Sequence, residues 1–323
     1  MWVEASAPSN IALIKYMGKT DVNLNTPCNT SLSYTLEHLR TFVRLKKSEQ
    51  ANDSWAALKR SDLRAIELSA KGKEKFLQFF LKLKTQFGTE GFFEIESANN
   101  FPSDCGLASS ASSFAALTLA AYTWAVQHNS VSPKSLEELA QISRQGSGSS
   151  CRSFFTPWVT WDKETVKKVE LPFTNLLHQV ILCDESVKLV SSSKAHTLVL
   201  TSDLFNGRPE RAETRFFGLV QSLRTAQWKI AFEICWNEFW DMHGLFHTAN
   251  PAFMYMNGHS QNVLQKILQQ WQLTGDGPLV TMDAGSNVHL LYRQDQVADY
   301  QNMIQIFNKD YAMWTDEGYR ARN

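Results

Sequence analysis

The sequence has few of the features that mark a secreted, membrane or nucleic-acid-binding protein. Its 323 residues carry 32 basic and 32 acidic side chains, so net charge gives no reason to expect nucleic acid or a membrane surface as a partner. No apolar run approaches the ~18 residues of a membrane span. The N-terminus, with an acid at Glu4, has no basic segment followed by an apolar one, so we expect no signal peptide.

Cysteine is also sparse. The five cysteines are scattered, odd in number and form no CxxC pair; they are Cys28, Cys105, Cys151, Cys183 and Cys235. This pattern indicates neither a disulfide framework nor a zinc site, and it favours a reducing cytoplasm as the location. The eight histidines show no metal-ligand spacing, and the ten tryptophans are typical of core packing.

Strand and helix patterns mix along the chain without regular βαβ alternation, which predicts an α+β protein. Strands are expected at 40–47, 92–97, 178–183 and on both sides of a turn within 278–292. Helices are expected at 73–87, after a capping box at Ser135 and Glu138, at 208–224 and 226–246, and through Leu264 to Trp271 and Val297 to Phe307. We place a boundary near residue 178, giving domains of 1–177 and 178–323.

The stretch FPSDCGLASSAS at 101–112 lies between a predicted strand and a predicted apolar helix. Small residues before a helix N-terminus let an anion approach its free N–H groups, and a serine hydroxyl can bind Mg²⁺ beside phosphates. No lysine follows, so this is not a P-loop. Taken alone, the stretch is better explained as a serine-capped core helix, since caps of this kind are common.

Four segments together resemble the mevalonate diphosphate decarboxylases of the GHMP kinase superfamily. They are APSNIALIKYMGK (7–19), NNFPSDCGLASSAS (99–112), GSGSSCRS (146–153) and TMDAGSN (281–287). The resemblance implies a two-lobed GHMP kinase fold, with an N-terminal ATP- and substrate-binding lobe similar to ribosomal protein S5 domain 2. The C-terminal lobe would be ferredoxin-like, and family members are commonly homodimers.

The same resemblance implies a reaction. Members phosphorylate the tertiary hydroxyl of mevalonate 5-diphosphate with ATP and Mg²⁺. The intermediate then loses phosphate and CO₂ to give isopentenyl diphosphate. Three alternatives stay open: decarboxylation of the monophosphate, a GHMP kinase that does not decarboxylate, and a non-catalytic nucleotide-binding protein.

Asp283, Lys15 and Arg152 match the family's catalytic positions. A carboxylate can orient a tertiary hydroxyl and take its proton, although an Asp-Ala-Gly turn with a self-capping carboxylate explains Asp283 in isolation. Lys15 follows the apolar NIALI, and a buried ammonium needs an anionic partner, for which Asp283 is the candidate. The Arg152 guanidinium can hold a carboxylate or phosphate with two parallel hydrogen bonds.

The remaining site residues follow from the resemblance. The positions expected to contact the substrate are Tyr16, Met17, Gly18, Lys19, Ser147, Gly148, Ser149, Ser150, Cys151, Arg152, Ser191 and Ser192. The positions expected to bind ATP are Gly106, Leu107, Ala108, Ser109 and Ser110, with Ser110 also a magnesium ligand. His243 is interpreted as a structural helix histidine with a satisfied partner.

The chain departs from the family pattern at several of these segments. Met17 replaces a common tryptophan, Ser286 a common proline, and Phe155-Thr156-Pro157 a common FGG. After the serine pair, Ser193 stands where arginine is common and is followed by Lys194, and His196 stands where methionine is common. Because this last group would face the substrate phosphates, it bears on the choice between monophosphate and diphosphate.

Overall fold

The structure is a computed structural model that describes residues 1–101, 109–129, 131–184 and 188–322. Its strands are β1 (Val3–Ile14), β2 (Lys19–Asp21), β3 (Thr26–Pro27), β4 (Ser31–Ser48), β5 (Ser54–Ala57), β6 (Arg64–Ala65), β7 (Phe92–Asn99), β8 (Trp158–Trp161), β9 (Val166–Lys168), β10 (Leu177–Leu182), β11 (Leu279–Thr281), β12 (Val288–Tyr292), β13 (Ala312–Thr315) and β14 (Gly318–Arg320). Its α-helices are α1 (Ala70–Gln86), α2 (Ser109–His128), α3 (Leu136–Ser143), α4 (Ser192–Leu198), α5 (Arg208–Arg224), α6 (Trp228–Thr248), α7 (Gly258–Thr274) and α8 (Val297–Phe307).

Two large sheets organise the chain, which confirms the α+β prediction. Seven strands of the first half form one sheet in the order β5-β7-β4-β8-β9, with β1 beside β4 and β6 beside β7. Five strands of the second half form an antiparallel sheet in the order β11-β12-β10-β13-β14. The first sheet ends at Lys168 and the second begins at Leu177, and the domain boundary near residue 178 stays a prediction.

The local patterns explain these elements. In β4 the side chains at 39, 41, 43 and 45 are buried and those between them are partly exposed, because alternate residues of a strand face opposite sides of the sheet. Helix α1 is capped by Ser69 and ends before Gly88, which has φ +60° as a residue after a helix C-cap commonly does. The capping box of Ser135 and Glu138 at α3 is present as predicted.

Some elements were not predicted from the sequence. Gly148–Phe154, which overlaps the segment GSGSSCRS, is a 3₁₀ helix. Strands β13 and β14 follow α8 and pair with each other. These strands have four and three residues, too few to produce an alternation that can be recognised in the sequence.

The two sheets share one apolar core, and this places the site. Ile11 and Ile14 of β1 pack in the same cluster as Val180 of β10 and Met282 after β11. The end of β1 and the loop after β11 therefore meet between the two halves of the molecule. Within the described part of the chain, no helix is both long and apolar enough to cross a bilayer.

Candidate active site

A buried ion pair joins the two halves at this meeting point. Lys15, directly after β1, places its Nζ 2.7 Å from Oδ1 of Asp283, which follows β11. The Lys15 side chain is 2% exposed and that of Asp283 is 28% exposed. The expected pairing is present, and the Asp283 carboxylate remains open to a ligand on one side.

The backbone of Lys15 is fixed from both sides. Its N–H donates to Oε1 of Glu238 on α6 at 2.9 Å, and its carbonyl accepts from Nδ2 of Asn29 at 3.0 Å. Glu238 is fully buried and forms an ion pair with Arg208 of α5. Because a buried, multiply bonded carboxylate cannot easily shift, this arrangement sets where the Lys15 ammonium lies.

The neighbours of Asp283 keep it ionised. Burial opposes the charged form, but the Lys15 ammonium, the nearby His289 and the Arg152 guanidinium together hold the pKa of Asp283 below its ordinary value. His243 contacts the same residue, with Nε2 3.1 Å from the Asp283 carbonyl oxygen. The predicted partner is therefore present at Nε2, whereas among the described residues Nδ1 is buried without a partner.

Arg152 is a buried cation whose protein partners are neutral. Its Nε donates to Oδ1 of Asn10 at 3.0 Å, and its Nη1 donates to Oγ of Ser31 at 2.9 Å. Arg152 is 4% exposed, and among the described residues no carboxylate lies within ion-pair distance of it. A guanidinium held in this way is available to an anionic ligand.

In the 3₁₀ segment that carries Arg152, the side chains of two predicted substrate-contacting residues, Ser150 and Cys151, point into the protein interior. The Ser150 hydroxyl is buried, 2.7 Å from Ser143 Oγ and 2.7 Å from the Ser147 carbonyl oxygen. Cys151 Sγ donates to the Gly148 carbonyl, and burial raises the pKa of this thiol to about 12. Contact between substrate and Ser150 or Cys151 is thus limited to their backbones, while Ser147 and Ser149 are only partly buried.

The turn at 16–18 is tightly packed. Tyr16 is partly buried, and its hydroxyl donates to the Asn25 carbonyl. Its ring lies so close to Gly148 that a Cβ atom added to Gly148 would be 2.7 Å from the ring. Met17 is a buried packing residue. Gly18 has φ +91°, and a side chain there would meet Cys28 and Phe205 at 2.7 Å, so this position requires glycine.

Lys19 and Lys75 form a second cationic region. Lys19 Nζ donates to Oδ1 of Asn25 at 2.7 Å. Burial and the nearby Lys75 ammonium lower the pKa of Lys19 to about 8. Within the described residues neither lysine has a carboxylate partner, and Lys75 lies over the Phe114 ring on α2.

The predicted phosphate loop is described only at its end. Ser109 and Ser110 open α2, and Ser110 Oγ is exposed 3.5 Å from Ser147 Oγ. The other predicted ATP-binding positions, Gly106, Leu107 and Ala108, lie outside the described residues. The structure therefore brings the start of α2 together with the segment that carries Arg152.

Helix α4 closes the other side of the site. Ser191 is its N-cap and accepts from the Lys194 N–H, and Ser192 begins the helix; both are exposed. His196, on the same helix, is buried, and its Nδ1 accepts from the Gly18 N–H at 3.1 Å.

Several site residues escaped sequence reasoning, chief among them Glu238, Asn25 and Lys75. Glu238 is 223 residues away from Lys15 in the sequence, and no local sequence pattern indicates that the two are in contact. Asn25 has the unusual φ of 53° and also donates to the Arg144 carbonyl, so it connects Lys19 to the end of α3. An asparagine in a polar turn is one signal that could have identified it.

Two family models together match almost the whole chain. The family model described as Diphosphomevalonate decarboxylase-like N-terminal domain matches residues 7–170, and the Mevalonate 5-diphosphate decarboxylase C-terminal domain matches residues 179–320. The diphosphomevalonate decarboxylase of Candida albicans is 30% identical, over 90% of this chain and 85% of that protein.

Solved structures give the same result. A mevalonate diphosphate decarboxylase from Legionella pneumophila is similar with a TM-score of 0.91 and 44% identity, covering 97% of this chain and 100% of that chain. MDDEF in complex with MVAPP, AMPPCP and magnesium is similar with a TM-score of 0.84 and 28% identity, covering 97% and 96%. The chain therefore belongs to the diphosphomevalonate decarboxylase family, and it is a carboxy-lyase with the GHMP kinase fold.

Proposed function

We propose that the protein uses ATP to convert mevalonate 5-diphosphate into isopentenyl diphosphate, ADP, phosphate and CO₂, with Asp283, Lys15 and Arg152 at the reaction centre. The observation that carries this assignment is the Lys15–Asp283 pair beside an Arg152 guanidinium that has no carboxylate partner among the described residues. Family membership supplies the reaction class, and this geometry supports the roles of the three residues.

In the first step, the tertiary hydroxyl oxygen of the substrate attacks the γ-phosphorus of ATP and ADP departs. The Asp283 carboxylate orients the hydroxyl and takes its proton. Because the pKa of Asp283 is held below its ordinary value, the proton moves late, once the new O–P bond has made the hydroxyl strongly acidic. Lys15 fixes the carboxylate in this position through its 2.7 Å contact.

In the second step, the C–O bond to the new phosphate breaks and phosphate leaves with the electron pair. The bond between the carboxylate carbon and its neighbour then breaks, its electrons form the double bond, and CO₂ is released. Arg152 binds the anionic groups involved through the donors not used by Asn10 and Ser31. Negative charge grows on the departing phosphate, so this interaction strengthens as the bond breaks.

The residues present fit ATP and Mg²⁺. The N–H groups at the start of α2 suit a phosphate, and the Ser110 and Ser147 hydroxyls supply neutral oxygens 3.5 Å apart. No group of three or more His, Cys, Asp or Glu side chains in the described ranges could hold a metal by itself. Ser110 would therefore hold Mg²⁺ together with phosphate oxygens and water. Bound there, Mg²⁺ would neutralise phosphate charge.

The substrate diphosphate would be bound by Lys19, with Ser191 and Ser192 on the opposite side. Lys19 is half-buried and faces no carboxylate in the described structure, so its charge is available to an anion. Ser193 is exposed in the first turn of α4, where it contributes no charge. We therefore expect weaker discrimination against the monophosphate than a cationic side chain at position 193 would give.

One assay separates the candidate functions. The enzyme is incubated with Mg-ATP and either mevalonate 5-phosphate or mevalonate 5-diphosphate, and ADP and CO₂ are measured. We expect equal amounts of ADP and CO₂ with the diphosphate and a lower kcat/KM with the monophosphate. ADP without CO₂ would indicate a kinase, neither product would indicate a binding protein, and preference for the monophosphate would reassign the substrate.

We infer a homodimer from the resemblance to the family, a cytoplasmic location from the sparse and scattered cysteines, and a domain boundary near residue 178. Light scattering on the purified protein tests the first, because a homodimer would have twice the 36.7 kDa chain mass. A monomeric mass at micromolar concentration would exclude it.

A further inference from the structure

His196 lies inside the proposed active site and has no role in the mechanism above. It belongs to α4, it is 9% exposed, and its ring centre lies 4.3 Å from that of Tyr16. Its Nδ1 is 3.1 Å from the backbone nitrogen of Gly18, the glycine of the tightly packed turn that precedes Lys19. The imidazole therefore contacts the residues before and after Met17: its ring lies against Tyr16, and its Nδ1 lies beside the Gly18 N–H.

This contact fixes the tautomer of His196. A backbone N–H can only donate, so Nδ1 must be the unprotonated acceptor and the ring proton of the neutral imidazole must be on Nε2. The flipped ring would place a carbon against the Gly18 N–H and leave that buried donor unsatisfied. The Nε2–H group is therefore a hydrogen-bond donor.

The Nε2–H donor keeps some solvent access. Among the described residues no protein group accepts from it, and it is not one of the buried polar atoms without a partner. It is thus accessible in a region bounded by Tyr16 and Gly18, with Lys19 next along the chain. A buried imidazole with an exposed donor in this place is suited to an anionic oxygen.

His196 stays neutral in these surroundings. Burial, helped by the positive charges of Lys19 and Arg152, lowers the pKa of His196 to about 3. Protonation of Nδ1 would break the bond to Gly18 and place a third cation beside the other two. The tautomer with a proton on Nε2 is therefore the form present at physiological pH.

We propose that His196 orients the substrate: it holds the Gly18 turn through Nδ1 and donates through Nε2–H to a phosphate oxygen of mevalonate 5-diphosphate. This inference rests on the proposed function. It assigns a neutral donor to the phosphate-binding side, where Lys19 alone would supply charge without directional recognition. The bond would orient the phosphate, while the chemistry at Asp283 would be unaffected.

Two substitutions of His196 test the roles of its two ring nitrogens separately. In His196→Asn the side-chain oxygen can take the place of Nδ1 and accept from Gly18, but nothing reaches the position of Nε2. In His196→Gln the amide nitrogen can reach the position of Nε2 and donate. Mevalonate 5-diphosphate is titrated calorimetrically into the full-length wild type and both variants, and KM and kcat are measured for substrate and for ATP.

For His196→Asn we expect the Kd and KM for mevalonate 5-diphosphate to rise about tenfold, as for a lost hydrogen bond to a charged group. The kcat and the KM for ATP should stay within about threefold of wild type, since neither depends on this bond. For His196→Gln we expect substrate affinity to recover to within about threefold of wild type, because the donor is restored.

His259→Asn is the matched control, because it makes the same chemical change at an exposed histidine in the first turn of α7. We expect wild-type binding for this variant. Wild-type substrate affinity in His196→Asn would overturn the proposal, and so would His196→Gln binding no better than His196→Asn. An inactive wild type that also fails to bind the substrate would overturn the proposed function and this inference together.

Discussion

The charged groups of the site fall into two regions that differ in how they are paired. Lys15 and Asp283 form an ion pair at 2.7 Å, and the Lys15 backbone is fixed by the buried Glu238. By contrast, Arg152, Lys19 and Lys75 are paired with no carboxylate in the described parts of the chain. The region of Lys15 and Asp283 is neutral, because its two charges cancel, and the region of Arg152, Lys19 and Lys75 is positively charged.

This difference separates chemistry from binding. A buried cation without a counter-ion costs several kcal/mol of folding free energy, so a fold that retains one gains the interaction when an anion arrives. A paired carboxylate has little remaining charge to repel a phosphate, yet it can still accept a proton. We therefore expect changes at Asp283 to affect turnover and changes at Lys19 and Lys75 to affect substrate affinity. Arg152 should affect turnover as well, because it binds the groups whose charge changes during the reaction.

The largest effect is expected for Asp283→Asn. Asparagine keeps the shape but cannot take the hydroxyl proton, so kcat should fall ~10²-fold or more, as for loss of a general base. Steady-state release of ADP and CO₂ measures it. Asp276→Asn, at a carboxylate that pairs with Arg293 away from the site, is the control. Activity of Asp283→Asn within a few-fold of wild type would remove Asp283 from the mechanism.

A smaller but substantial loss is expected for Arg152→Lys. An ammonium keeps the charge but cannot contact Asn10, Ser31 and an anion in the fixed directions of a guanidinium. We expect kcat to fall about tenfold or more, and to fall further than KM rises. Arg60→Lys, at a partly exposed arginine bonded to Asp62, should leave kcat and KM unchanged. An unchanged kcat in Arg152→Lys would leave Arg152 with a binding role alone.

The cationic region predicts a pH dependence. Lys19 is charged below its pKa of about 8 and loses its charge above it, so kcat/KM should decline as the pH rises through about 8. The profile of kcat should stay flatter, because bound phosphates stabilise the ammonium and raise its pKa.

Lys75→Met tests whether the charge of Lys75 contributes to the lowered pKa of Lys19. The Lys75 charge lowers the pKa of Lys19, so its removal should move the decline in kcat/KM to higher pH. Lys71→Met, at an exposed lysine in the first turn of the same helix, should leave the profile in place. If both profiles match that of the wild type, Lys75 does not act on Lys19.

The smallest of these effects is expected for Ser110→Ala. Loss of one neutral metal ligand should reduce turnover with Mg-ATP several-fold, and the reduction should be partly overcome by higher magnesium concentration. The melting temperature should stay within about 4 °C of wild type, the shift that corresponds to ~1 kcal/mol in a protein larger than 150 residues. A lower melting temperature with unchanged turnover per folded molecule would instead support the helix-cap interpretation of Ser110.

Local patterns predicted every α-helix of the described residues except α4, but only five of their fourteen strands, and the long β1 was among the strands missed. The caps of α1 and α3 and the alternation in β4 depend on residues within a few positions of one another, so they can be recognised without tertiary information. The β13–β14 pair escaped prediction because its strands are too short to show a period. The 3₁₀ helix at Gly148–Phe154 escaped because its small residues also suit a loop.

The site was predictable only where its residues lie in recognisable segments. Lys15, Arg152 and Asp283 could be named because their neighbours match a family pattern, and the pairing of Lys15 with Asp283 followed from the need to neutralise a buried ammonium. Glu238 could not be found in this way, because its role depends on packing of α6 against the end of β1. The inward-facing hydroxyl of Ser150 was equally hidden, because it depends on the 3₁₀ geometry.

The division between chemistry and binding is tested most directly by the Kd for mevalonate 5-diphosphate, measured by calorimetry in wild type, Asp283→Asn and Lys19→Met. We expect Asp283→Asn to bind as tightly as wild type or more tightly, because Lys15 is then left as a further cation without a partner. We expect Lys19→Met to bind about tenfold more weakly, as for one lost charge-assisted hydrogen bond. Weak binding by Asp283→Asn, together with wild-type affinity in Lys19→Met, would contradict the account.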